Sequence, residues 1–395
     1  MYNASNKIKD EEYKEFYRHV SSDFTDPLSW SHNKVEGKQD YTSLIYIPSM
    51  APMDLYHRDA SRGIKLYIKR TFIMDDAEQF LPMYLRFVKG VLDSADLPLN
   101  ISREILQKTP MVESIKSALT KRVLDMLSKL AKKDQEKYAT FWSQFGTVLK
   151  EGPSEDHTNK EKIAKLFLFS SSSMNDEKPT VTLEGYVSRM KEKQKKIYYV
   201  TGDSISSLRN SPYLEAFKKH NIEVLLMHDR IDEWMMGYLT EFDGKQFQDI
   251  AKGELDLDEI TDSSGEEKKT AKKKDSKSDE KVISKIGDIL DNRVSGVRTT
   301  SRLTHSPACL VVGEHDMGEQ MRKIMEAAGQ SVPETKPTLE INVKHPLVKK
   351  IKGSDENKEV KMLTQLLFDQ ALLSAGRPLD DPANFVKGIN KLMFS

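Results

Sequence analysis

The chain has 395 residues, enough for two or three domains at roughly 150 residues each. Only 38% of residues are apolar and 31% are charged, which predicts much wetted surface per core, as in elongated multidomain proteins. Lysine plus arginine number 61 and aspartate plus glutamate also 61, a balance that argues against a dedicated nucleic-acid binder.

No apolar stretch approaches the ~20 residues of a membrane span, and residues 1–7 carry no apolar signal core. The single cysteine, Cys309, excludes an intramolecular disulfide and suits a reducing compartment. The expected location is the cytoplasm. Tyr41 to Ile47 and Ile64 to Phe72 are rich in strand formers, and in the second Ile64, Leu66 and Ile68 alternate with polar or half-buried positions. From Met111 to Lys133 the period changes: Ile115, Leu119, Val123, Met126 and Leu130 recur every three or four residues, which predicts an amphipathic helix. Phe141, Trp142 and Phe145 extend the helical region.

A second α/β unit follows Gly152-Pro153. Lys196 to Val200 reads as a strand, Ser204 to His220 as a helix and Ile222 to Met227 as a second strand, parallel to the first through a right-handed crossover. Asp232 to Leu239 reads as helical. Between about Lys252 and Lys281 apolar residues nearly vanish, an acidic run giving way to a basic one around Lys268 to Lys274, so a solvated linker is expected. In the last domain Ala308 to Val312 and Leu339 to Val343 read as strands, with Cys309 a packed strand residue, and Met317 to Ala328 as a helix. The end reads as a helical hairpin. Val360, Leu363, Leu366, Leu367 and Leu373 line its first helix, and Gly376 stops it. Asp381 caps the second helix, Pro382 fits its first turn, and Phe385, Ile389 and Leu392 line it. Two short helices cannot cover that much apolar surface between them. A partner copy closing a four-helix bundle is expected, with packing on the domain's own sheet as the alternative.

Catalytic signatures are sparse. The sequence has no phosphate loop, no cysteine pair for zinc and no His-Glu-x-x-His or Gly-x-Ser-x-Gly motif. His315 and Asp316 adjoin, but such a pair reads as surface or cap chemistry rather than a metal site. The segment from Asp96 to Gln107 stands out: Pro98 and Asn100 mark a loop, Ser102 can cap a helix, and Arg103 falls at the junction. From the residues alone, Arg103 is either presented outward or paired within the loop with Glu104 or Asp96.

The run Tyr84-Leu85-Arg86-Phe87-Val88-Lys89-Gly90-Val91-Leu92-Asp93-Ser94, continuing through Leu97-Pro98-Leu99-Asn100-Ile101-Ser102-Arg103-Glu104, resembles the middle-domain signature of the heat-shock protein 90 chaperones. Phe16-Tyr17, Asp26-Pro27-Leu28, Val35-Glu36-Gly37 and Ile47-Pro48 are similar to its opening, and Ile231-Asp232-Glu233-Trp234, Leu239 and Glu241-Phe242 continue it. Leu339-Glu340-Ile341-Asn342 and His345-Pro346-Leu347-Val348 are similar to the family's C-terminal domain, with Val343 where the family often has proline. The chain ends in Lys391-Leu392-Met393-Phe394-Ser395 without the acidic tail of cytosolic eukaryotic members, so the resemblance is to the bacterial type, high-temperature protein G, with the N-terminal ATPase domain absent.

The resemblance implies an α/β and α+β multidomain fold. It divides into a middle domain over 1–253, a charged linker over 254–281 and a C-terminal dimerisation domain over 282–395. Within the middle domain it implies a larger α/β unit to about 110, a helical connector over about 111–150 and a smaller α/β unit over about 160–245. It implies an ATP-dependent chaperone that binds unfolded or partly folded clients. ATP and Mg would be held by the N-terminal domain, so this fragment alone is expected to bind neither and to be inactive. Arg103 and Gln107 match residues that act on that ATP. Trp234 with Met235 and Met236, and the stripe Met317, Met321, Ile324 and Met325, match client-facing surfaces, for which methionine's flexibility is suited. Core packing is the alternative for both stripes. The implied partners are a second copy, non-native proteins and other chaperones, without nucleic acid or membrane. A passive dimeric scaffold is the competing reading, and a phosphate-substrate enzyme a weaker one.

Overall fold

The computed structural model describes residues 8–37, 39–57, 63–98, 109–175, 178–255, 276–332 and 335–394, with backbone alone for 276–278. The chain divides into two compact units, Met1–Leu168 and Phe169–Ser395. Both are mixed α/β.

In the first unit, α1 (Asp10–Ser21), β1 (Ser29–Val35), β2 (Tyr41–Ile47), β3 (Ile64–Ile68), β4 (Thr71–Ala77) and β5 (Lys89–Ser94) build a sheet of order β1-β2-β5-β3-β4. The β3–β5 pair is parallel and the rest antiparallel. The run expected as one strand over 64–72 is two strands, because Lys69 and Arg70 take left-handed backbone (φ 48° and 68°) and reverse the chain between them. Strand alternation gives β2 two buried faces. Leu44 and Tyr46 pack with Tyr13 and Tyr17 of α1, while Ser43, one residue away, accepts a hydrogen bond from the Arg122 guanidinium at 2.9 Å. Arg122 lies on α2 (Pro110–Lys133), so the sheet is covered from both sides. Thr109 caps α2 and Pro110 fits its first turn. Behind it, α3 (Gln135–Leu149) supplies Phe141 and Phe145, which pack with Phe87 at centroid distances of 5.3 and 4.8 Å. Short helices α4 (Gly152–Glu155) and α5 (Lys160–Ala164) close the unit. Its loop after β5 is pinned where Asp96 accepts the Asp40 backbone N–H at 2.7 Å.

The second unit opens with β6 (Ser170–Ser171), α6 (Leu183–Ser188) and β7 (Lys196–Thr201). The single helix expected over 204–220 is instead α7 (Ile205–Arg209), a 3-10 turn at Pro212–Leu214 and α8 (Glu215–Lys219). Pro212 has no N–H to continue a helix, and Ser211 caps the turn that follows. Then come β8 (Leu225–Met227), α9 (Asp232–Met236), β9 (Glu241–Phe242) and β10 (Lys245–Asp249), in a sheet of order β6-β8-β7-β10-β9. The β7–β8 pair is parallel, as the strand–helix–strand order predicts.

Helix α10 (Ser276–Leu290) begins inside the stretch expected as linker. Val282, Ile286 and Leu290 recur every four residues and are all buried, which explains why the helix holds despite the polar residues before it. A small sheet, β11 (Gly296–Thr299), β13 (Thr338–Ile341) and β12 (Ala308–Val311) in that order, brackets α11 (Glu319–Ala327) in sequence. Then follow α12 (Pro346–Gly353), α13 (Asn357–Ser374) and α14 (Pro382–Met393). Asp381 caps α14 through the Asn384 N–H at 3.0 Å. One apolar cluster joins Tyr198, Val200, Phe217 and Leu226 with Leu303, Cys309 and Val311, so side chains from both sides of 254–281 share a core. Cys309 is buried there, and burial pushes its thiol far above the ordinary range, as suits a packing residue.

Candidate functional site

A cleft in the second unit has a volume of about 940 Å³. Its walls come from α9, β7, β10 and the segment entering α11. Trp234, Tyr238, Phe247, Met317 and Met321 supply apolar surface, and Glu233, Asp249, Lys252, Glu314 and Asp316 supply charge. Three residues proposed from sequence as client contacts, Trp234, Met317 and Met321, therefore line one cavity although up to 87 positions separate them.

Each reaches the cleft for a local reason. Helix α9 has barely more than one turn, and its own packing uses Met235 and Met236, which are buried. Both are largely buried, Met235 completely, as the alternative of core packing has it, while Met236 also lines the cleft beside Trp234. Trp234 lies between the two faces, half-buried, and its ring meets Tyr238 at a centroid distance of 5.0 Å. On α11 only Gln320 is buried. Met321 and Met325 are half-buried and Ile324 is exposed, with Met325 and Ile324 outside the cleft lining. This helix presents its apolar side chains instead of sinking them into the core.

Charge at the cleft floor is organised. Lys252 sits 3.3 Å from the Glu233 carboxylate and donates to the Asp316 carbonyl at 3.0 Å. Asp249 is largely buried; burial raises its carboxyl from 3.8 to about 6, with nearby Lys252 and the Ala251 N–H pulling the other way. The folded state thus holds the Asp249 proton more tightly than the unfolded chain. Its contribution to stability is complete below about pH 4 and is lost as pH rises through about 6. Asp249→Asn keeps an acceptor for the Ala251 N–H and removes the buried charge. Its stability relative to the parent is expected to improve between about pH 4 and pH 7. Urea denaturation at the two values checks this, and an unchanged difference counts against a buried charge.

The other sequence-derived sites fall as follows. Arg103 and Gln107 lie outside the described residues. Leu363, Leu366 and Leu367 are buried within the single chain, so their apolar surface is already covered there without a second copy. Leu363 and Leu367 belong to the core beneath the small sheet. Leu366 meets α14 at Gly388, where an added Cβ would lie 2.8 Å from its methyl carbon, so a glycine is what lets the two helices close. Phe385, Ile389 and Leu392 are half-buried, and Val386, Met393 and Phe394 beside them are exposed. Among the described residues the exposed apolar side chains of the hairpin lie mainly on and just after α14, with Leu373 at the end of α13 exposed as well.

Sequence reasoning missed Glu233 and Arg302. Arg302 is almost fully enclosed, its guanidinium 3.0 Å from Glu340 and bonded to the carbonyls of Ile250 and Gly253. Neither has a signal in local pattern, because each partner lies tens of residues away. Among the described residues no cluster of three or more His, Cys, Asp or Glu side chains is arranged to hold a metal, and no helix is long and apolar enough to cross a membrane. A family model described as Hsp90 protein matches residues 2–395, and the chain belongs to the Hsp90 family.

Proposed function

We propose that this chain is the client-binding and dimerising part of an ATP-dependent molecular chaperone of the bacterial cytoplasm. The observation that carries the reading is the cleft shared by Trp234, Met317 and Met321. Indole and thioether side chains at a half-exposed surface accept varied apolar segments without one fixed shape, which is what binding of non-native proteins requires. Ile324 and Met325 extend the apolar surface beyond the cleft. The open face of α14, with Val386, Met393 and Phe394 exposed, supports pairing with a second copy through the terminal hairpin. Arg103 and Gln107 are proposed to act on ATP, with its Mg, held in an ATP-binding domain of the kind the family resemblance implies. A planar, always-charged guanidinium is suited to charge developing on phosphoryl oxygens. Other chaperones are further proposed partners.

Met317→Ser with Met321→Ser tests the client reading. The pair is expected to weaken binding of a destabilised model client roughly tenfold, from the apolar area removed. Stability should fall by less than about 1 kcal/mol, because neither residue is in the core. Light scattering of the aggregating client reads the first, and urea denaturation the second. Protection equal to the parent's would move the client site away from these methionines, and a parent with the solution mass of two chains that protects no client would leave the passive dimeric scaffold standing.

A further inference from the structure

Helix α11 is docked in an unusual way. Nine residues long, it buries only Gln320, so apolar contact contributes little to holding it. Its N-cap is Gly318, which has no side chain to satisfy the first backbone N–H groups. Those groups point at a carboxylate from far away in sequence. Glu233 accepts the Gly318 N–H with Oε1 and the Met321 N–H with Oε2, the second at 2.8 Å. These are the N-cap and N3 donors, the same two that a capping box satisfies reciprocally from within one helix. A negative charge at this end also complements the helix dipole. Lys252 holds the carboxylate from the other side at 3.3 Å and ties it to the Asp316 carbonyl.

The seat is tight. A Cβ placed on Gly318 would lie 2.2 Å from Glu233 Oε1 and 2.7 Å from its Cδ, so only glycine admits the carboxylate. The remaining anchors are polar as well. The Gln320 amide donates to the Gly202 carbonyl, Lys323 pairs with Asp203 at 2.8 Å, and Arg377 pairs with Glu319 at 2.8 Å. The Lys323 and Asp203 side chains are substantially exposed and so contribute little. The Glu233 carboxylate, 9% exposed and receiving two N–H groups and an ammonium, is the strongest anchor.

We infer that Glu233 is the positioning residue of the client cleft: its carboxylate caps α11 from outside the helix and holds Met321 in the cavity that Trp234 also lines. The inference rests on the proposed client role of that cavity. It adds that one ionic contact sets whether the helix stands in place. Loss of the cap frees α11 to swing or fray while the sheets behind it keep their structure, since none of their core side chains comes from this helix.

Amide hydrogen exchange in the full chain tests it. Glu233→Ala is expected to speed exchange over residues 318–327 at least about fivefold, leaving β7, β8 and β12 at the parent's rate. Glu233→Gln keeps one acceptor and loses the charge, so its rates should fall between the two. Gly318→Ala leaves Glu233 in the chain and evicts its carboxylate, and should reproduce the acceleration. It also keeps the question decidable if Glu233→Ala fails to fold. Parent-like exchange over 318–327 in all three variants overturns the inference. If exchange accelerates while Met317→Ser with Met321→Ser still protects clients, the cap stands and the client reading falls. If those methionine variants lose protection while exchange in the Glu233 and Gly318 variants is unchanged, the client reading stands and the cap falls.

Discussion

Arg302→Ala is expected to destabilise the unit of residues 169–395 by about 3–5 kcal/mol, the range for removing one member of a buried ion pair. The side chains of Arg302 and Glu340 are 3% and 4% exposed and their charged atoms lie 3.0 Å apart. The same guanidinium satisfies the backbone carbonyls of Ile250 and Gly253. Truncation therefore strands a carboxylate and two carbonyls at once, and a buried acceptor without a partner carries its full desolvation cost. Arg298, 2.8 Å from the other Glu340 oxygen, limits the loss from above. Guanidinium or urea denaturation gives the value. A loss below about 1 kcal/mol, typical of an exposed pair, would show that water reaches Glu340 once Arg302 is gone.

Arg103→Ala, in a protein that also carries the ATP-binding domain, is expected to lower ATP turnover on the order of 10²-fold with nucleotide affinity nearly unchanged. Arginine fingers in other phosphoryl-transfer systems reach roughly 10³–10⁵-fold. The smaller figure is chosen because an arginine proposed to act on a nucleotide held by another domain need not be engaged in every cycle. Arg103→Lys should fail in the same direction, since an ammonium is a point charge without the planar fork. Steady-state turnover and equilibrium nucleotide binding, measured on the same preparations, separate the two quantities. Turnover equal to the parent's removes Arg103 from the reaction.

These expectations belong to different levels of the molecule. Arg103 was singled out from a loop-to-helix pattern and a family resemblance, both of them local strings of residues. Arg302 has no such pattern. Its partners are Ile250, Gly253 and Glu340, and only the folded chain brings them to one side chain. Glu233 is the same kind of residue, its role depending on a glycine 85 positions later.

Local sequence by itself determined the elements with strong period or punctuation. The helix Pro110–Lys133 followed from apolar residues every three or four positions, and the terminal hairpin from Gly376, Asp381 and Pro382. It also carried the family, because the matching motifs are long and ordered along the chain. Tertiary structure alone decided which apolar face is spent and which is left open. Leu363, Leu366 and Leu367 have the same hydrophobic pattern whether they meet a partner or their own sheet, and the fold buries them at home. Met235 went wholly to the core while Trp234, its neighbour, stayed at the cleft. Periodicity records that a side chain is apolar and on which face it lies. What covers that face depends on contacts between residues far apart in the chain, and no local pattern encodes them.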